Sequence, residues 1–262
     1  MDNYKKLVKT VLKYGKLRKN RTGIETLSLF GSNFCHDMQE GLPVLTTKKI
    51  YTKGCIYELL WMLHGDTNIK YLVDNNVHIW DEWADSNGDL GPVYGKQWIY
   101  SGPNKINQIQ YVINEIINNP YSRRIVLDAW SPSELKDMAL PPCHVLYQFY
   151  AEPDTKQLSL SVYMRSADLF LGVPFDIAEG GLLLSLIAKI TGYNPNKLIY
   201  NFGDIHIYSN HIDLIKMQLL RQCYELPTLE LPYKNNITDY TYNDFNIKNY
   251  ISHPAIKAQV AI

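Results

Sequence analysis

Two consecutive prolines deliver a thiol in the stretch Ala139-Leu140-Pro141-Pro142-Cys143-His144. Prolines lack an N–H and fix φ, so they stiffen the approach to Cys143 at the start of an extended segment. A rigidly presented thiol suits a nucleophile, and an equally simple reading is a structural cysteine. The adjacent His144 does not decide it, because neighbouring strand residues point to opposite faces. Arg165-Ser166 pairs a guanidinium with a hydroxyl, which suits a phosphate. Arg21, before a turn glycine, and the pair Arg123-Arg124 are further phosphate candidates or solvated surface charges. Asp176 lies between Phe175 and Ile177 before an apolar run, as a helix N-cap or as an acid facing a polar ligand edge. Gly180 and Gly181 then mark close helix packing. His206 and Tyr208 share one face of a strand and reach either one ligand or structural partners. Glu58 stands alone inside an apolar helical stretch.

These residues need elements to hold them. Apolar spacing predicts helices over 5–14, 53–64 (closed by Gly65), 106–117 (stopped near Pro120) and 211–221, and a central buried helix over 182–190. Strands are expected over 25–34, 124–130, 144–151, 157–164 and 198–208, with a turn at Pro153-Asp154. Helices and strands mix without βα regularity, which implies one α+β domain over 1–262.

Size and composition agree with that reading. For 262 residues the folded surface should be about 12,000 Å² against roughly 44,000 Å² unfolded, enough to hide a large core. Apolar residues make up 46% and charged residues 20%, which excludes a disordered chain. Twenty-six basic residues balance twenty-six acidic ones, so no strongly basic nucleic-acid footprint exists overall. Cysteines 35, 55, 143 and 223 match neither a metal knuckle nor a CxxC pair. Cys35, Cys55 and Cys223 are expected as small buried hydrophobes. No leader-like h-region and no eighteen-residue apolar run is present, so a cytoplasmic protein is expected.

The chain resembles the folate-dependent thymidylate synthase family from end to end. The resemblance rests on RTGIETLSLFG (21–31), LPVLTTKK (42–49), ELLWMLHGDTNI (58–69), NNVHIWDEWADSNGDLGPVYGKQW (75–98), SRR (122–124), MALPPCH (138–144), RSADLFLGVPFDIA (165–178), GDIHIYSNH (203–211) and the terminal KAQVAI (257–262). It implies a large mixed β-sheet with surrounding helices, paired through the sheet into a homodimer. It implies one-carbon transfer from 5,10-methylenetetrahydrofolate, as co-substrate and without a metal, to C5 of a deoxypyrimidine monophosphate. By resemblance, Cys143 attacks C6, Glu58 organises proton transfers and Tyr94 assists loss of the C5 proton. Arg21, Arg165 and Ser166 hold the phosphate, joined by Arg123 and Arg124 from the second subunit. His144 lies in the nucleotide site, and His206 and Tyr208 bind the sugar hydroxyl. Ile79, Trp80, Trp83, Leu140, Gly172, Phe175 and Ala261 surround the folate, and Asp168 bonds its pterin.

Three departures bear on the substrate. Asp176 stands where the dUMP-methylating enzymes have Asn in PFNIA. An ionised carboxylate only accepts; it suits the amino group of cytosine and not O4 of uracil. The family's dCMP-hydroxymethylating branch is similar here, and also at Met164, where Gln is usual. Glu179-Gly180-Gly181 replaces a Ser-Tyr-Ala run. These imply dCMP as substrate and 5-methyl- or 5-hydroxymethyl-dCMP as product. The alternatives are ordinary thymidylate synthesis from dUMP and a non-catalytic nucleotide- or RNA-binding homologue; intact Cys143, Glu58, Tyr94 and phosphate arginines oppose the last.

Overall fold

A computed structural model describes residues 1–260. The chain runs α1 (Asp2–Tyr14), β1 (Lys16–Arg18), β2 (Thr26–Asp37), α2 (Thr52–Leu63), α3 (Lys70–Asp74), α4 (Tyr94–Ile99) and α5 (Gln108–Asn118). It continues through β3 (Val126–Asp128), β4 (His144–Glu152), β5 (Gln157–Asp168), α6 (Gly172–Thr191), β6 (Asn194–Tyr208), α7 (Ile212–Leu220), β7 (Thr228–Glu230) and β8 (Asn246–Lys248). Six strands form one mixed sheet in the order β1-β2-β6-β5-β4-β3, and β7-β8 make a small hairpin-like pair.

All pairs in the large sheet are antiparallel except β5 with β6. A parallel pair needs a long crossover, and α6 supplies it. This is the one βαβ unit in the large sheet, which otherwise has the mixed α+β character expected. It places the end of β5, the start of α6 and the end of β6 around one opening.

Helix α6 is buried on nearly every side from Val173 to Ile190, as a helix through the middle of a core must be. The apolar run predicted only 182–190. The helix starts ten residues earlier because Pro174 is tolerated in a first turn, and because Asp176 and Glu179 interrupt the apolar pattern toward a cleft. Asp176 therefore sits within α6 and is not its N-cap; Leu171 holds that position. A Cβ at Gly180 would overlap the Tyr200 hydroxyl, and one at Gly181 would overlap the Pro43 ring, so both glycines do mark close packing. The helix closes at Gly192, left-handed at φ 74°, and α2 closes before Gly65 at φ 73°.

Strand β5 alternates as read: Leu158, Leu160 and Val162 are buried against the helices. The opposite face carries Tyr163, paired with Leu146 on β4, and Tyr150, paired with Ser159; Tyr163, Leu146 and Tyr150 are exposed. Cys35 lies on that face opposite Ile199 and is exposed, and Cys223 is only half-buried, so of the three cysteines expected inside, only Cys55 is. Strand β3 covers Val126–Asp128 rather than the 124–130 predicted, with single ladder bonds beyond it from Phe149 N to Ile125 O and from Ala129 N to Val145 O. The exposed area, 12749 Å², is close to the size-scaling value. Among the described residues no helix is long and apolar enough to cross a membrane, and no His/Cys/Asp/Glu group could hold a metal ion.

Candidate active site

The opening at the β5–α6–β6 unit is a cleft of about 1240 Å³. Its lining contains Arg21, Glu58, Ile79, Trp80, Trp83, Tyr94, Leu140, Cys143, His144, Arg165, Ser166, Asp168, Gly172, Phe175, Asp176, His206 and Tyr208. Residues spread over nearly the whole chain thus meet in one place. Ala261 lies outside the described residues. Arg123 and Arg124 do not reach the cleft; they are exposed and line a separate hollow of about 500 Å³ with Tyr111, Glu115 and Tyr121.

Cys143 is clamped by its backbone. Its N–H donates to the Tyr94 hydroxyl at 2.7 Å, and its carbonyl accepts from Arg165 N at 3.0 Å. The Arg165 guanidinium donates from Nε to Pro142 O and from Nη2 to Pro141 O, each at 2.8 Å, and lies over the Trp130 ring. The carbonyls of both prolines are thus satisfied by the same arginine that lines the cleft. Burial pushes the Cys143 thiol up; Arg165 and Arg21 pull it down, and Asp176 raises it. Arg21 and Arg165 thus oppose the burial penalty on the thiolate, while Asp176 adds to it.

The floor of the cleft is acidic. Glu58, on α2, accepts from Trp80 Nε1 at 2.7 Å. Its carboxyl is pushed up to about 7 by burial first, with the Trp80 bond opposing, Asp176 adding and His144 opposing. That value suits a group exchanging protons near neutrality. Asp176 Oδ1 stands 3.2 Å from His144 Nε2, although the two are not aligned as a hydrogen bond. The Tyr200 hydroxyl donates to the Asp176 carbonyl, which fixes that turn of α6.

At the far end, His206 Nδ1 lies 3.1 Å from Asp204 Oδ1, which also accepts from Ser28 Oγ at 2.6 Å. Arg18 Nη1 reaches Asp204 Oδ2 at 3.0 Å. The His206 bond, joined by Ser28 and Arg18 and opposed by burial, holds the Asp204 carboxyl below its usual range. His206 and Tyr208 meet edge to face at 5.3 Å on one strand face, as the period of two requires. Asp204 was missed in the sequence reading, although the alternation 204, 206, 208 places it on that face.

One wall is apolar and aromatic. Trp80 and Trp83 meet edge to face at 5.7 Å, beside Ile79, Leu140 and Phe175. Asp168 Oδ1 accepts from Phe170 N at 2.9 Å and Leu171 N at 3.2 Å, which fixes the carboxylate at the edge of this wall. An aromatic slot with a fixed acceptor fits a flat heterocycle bearing N–H donors. The C-terminal segment reaches the same cleft through Ala258 and Val260. It is held by His211 Nε2 to Gln259 O at 2.9 Å and Arg221 Nη1 to Pro254 O at 2.7 Å.

Glu179, Arg18 and Asp204 line the cleft but were not among the predicted site residues. The signal for Glu179 was the i, i+3 spacing from Asp176, which puts both on one helix face. Compared with known protein families, the chain matches the family described as thymidylate synthase over residues 2–262.

Proposed function

The chain belongs to the thymidylate synthase family, enzymes of one-carbon transfer to C5 of a pyrimidine nucleotide, and from that premise we propose that its substrate is dCMP in preference to dUMP. The observation that carries this is Asp176 on the cleft floor, lining the same cleft as Cys143 with its Oδ1 3.2 Å from Nε2 of the adjacent His144. C5 of a pyrimidine is a poor nucleophile until a thiolate adds at C6. Cys143, held at its backbone, supplies that sulfur and can leave again. In this reading, C6 sits over Cys143 and the N3–C4 edge is directed to Asp176, which lines the same cleft. An ionised carboxylate accepts from the cytosine amino group, whereas uracil O4 would meet it acceptor to acceptor.

The co-substrate is 5,10-methylenetetrahydrofolate, seated on Trp80, Trp83 and Phe175 with its pterin on Asp168. It supplies the one-carbon unit and, for methylation, the reducing equivalent. Arg21, Arg165 and Ser166 hold the nucleotide phosphate. His206, oriented by Asp204, and Tyr208 take the sugar hydroxyl. Glu58 relays protons, and the Tyr94 hydroxyl faces the C5 proton. Two copies pair through the sheet face that bears Tyr150, Tyr163 and Leu146, and each lends Arg123 and Arg124 to the other's phosphate site.

The product is 5-methyl-dCMP. Methylation requires that water be kept from the exocyclic carbon, a task that falls in this reading to buried Trp80 and the C-terminal segment at the cleft. Incubation with dCMP and the folate, followed by mass analysis, tests this: a methyl product with dihydrofolate is expected. A product one oxygen heavier with tetrahydrofolate would refute methylation and mark a hydroxymethylase. A covalent complex with 5-fluoro-dCMP and folate is expected, and its absence would favour a non-catalytic homologue.

A further inference from the structure

Glu179 is 8% exposed, lines the cleft, and its Oε1 has no hydrogen-bond partner. It lies one turn after Asp176 on α6, with Glu58 across from both on α2. The two carboxyls near it are better served. Glu58 has the Trp80 indole, and Asp176 has the His144 ring 3.2 Å away. The groups facing Glu179 are Glu58 and Cys55 from α2, Asp176 from its own helix, Tyr147 from β4 and Tyr200 from β6. None is a cation. Three ionised carboxylates on one buried floor repel strongly, and the member without a donor is the one that keeps a proton.

We propose that Glu179 holds the proton of this three-carboxyl floor and donates it to the N3–C4 edge of the pyrimidine when the Cys143 thiolate adds at C6. The inference rests on the base reading above and deepens it. Asp176 can accept from the amino group of cytosine but has no proton to give. As the sulfur–C6 bond forms, the C5–C6 π pair moves through C4 onto N3. N3 takes the Glu179 proton, directly or across one water, and leaves Glu179 a carboxylate. The adduct is then a neutral enamine. When C5 forms its new carbon bond, the N3 proton returns to Glu179, and the floor is restored. Burial and the charges of Glu58 and Asp176 hold the Glu179 carboxyl well above its usual range, in keeping with this role.

Glu179→Gln keeps shape and a donor but cannot release a proton. In the unaltered enzyme, kcat/KM for dCMP should fall on the alkaline side by about tenfold per pH unit as Glu179 ionises. Glu179→Gln should lower kcat about a hundredfold, change dCMP Kd by less than about threefold, and abolish that alkaline limb. An alkaline limb kept at the same pH, or an unchanged kcat, would overturn the proposal. The infrared spectrum of the unaltered protein gives a second route if the variant misfolds. A protonated-carboxyl band should diminish when dCMP is added, and no such change would also overturn it. Running the same profile with dUMP separates the two readings. A dUMP preference with a Glu179-dependent limb defeats the base reading alone; a Glu179-independent limb with dCMP preferred defeats the proton donor alone.

Discussion

Cys143 carries the account at the scale of single residues. Cys143→Ala should bind nucleotide yet lose all turnover, which equilibrium binding and a product assay together would verify. Because burial raises its thiol, the alkylation rate of Cys143 by iodoacetamide should climb with pH beyond the range of an exposed cysteine. Burial raises the Glu58 carboxyl as well, with a consequence for stability. Its folded carboxyl titrates at about 7, above the usual carboxylate value, so folding favours its protonated form. That stabilising contribution is complete below the unfolded pKa and is lost as pH rises through about 7. Glu58→Gln should therefore be more stable than the unaltered protein at pH 8, on the order of 2 kcal/mol, and no more stable near pH 4. Denaturant unfolding at the two pH values measures this, and activity should fall in the same variant.

The floor of the site is built at the scale of elements by α6 against β6. Gly180→Ala would put a methyl group onto the Tyr200 hydroxyl and displace its bond to the Asp176 carbonyl. A loss of about 1–3 kcal/mol is expected. Tyr200→Phe should recover part of it by making room, and a double-mutant cycle on Tm and kcat/KM would expose the coupling. Much at this scale was legible from the chain. The alternation of Leu158, Leu160 and Val162 located β5, and Gly65 located the end of α2. The start of α6 was not legible, because Asp176 and Glu179 serve the cleft and break the apolar run that marks a helix. The parallel pairing of β5 with β6 follows from a crossover through α6, which local periodicity does not encode. The use of Arg165 to clamp Pro141 and Pro142 is likewise a long-range contact that local periodicity does not encode.

The question at the scale of the whole molecule is what Arg123 and Arg124 are for. The motif reading names them as phosphate ligands, yet within one chain they face away from the cleft. If a second copy donates them, two inactive variants should complement each other. Mixing Cys143→Ala with Arg124→Ala, after dissociation and reassociation, should restore about a quarter of the original activity, since half of the pairs are mixed and each has one complete site. Activity that stays at zero in verified mixed pairs would place the phosphate site within one chain.

The base preference set by Asp176 is the central claim, and it has a direct measurement: kcat/KM for dCMP and for dUMP, in the unaltered protein and in Asp176→Asn. A mispaired polar contact in a dehydrated site costs about 1–3 kcal/mol, so the unaltered protein should prefer dCMP by roughly ten- to a hundredfold. The amide restores a donor for O4, and Asp176→Asn should move the preference toward dUMP. A clear preference for dUMP in the unaltered protein would contradict the account and make it an ordinary thymidylate synthase.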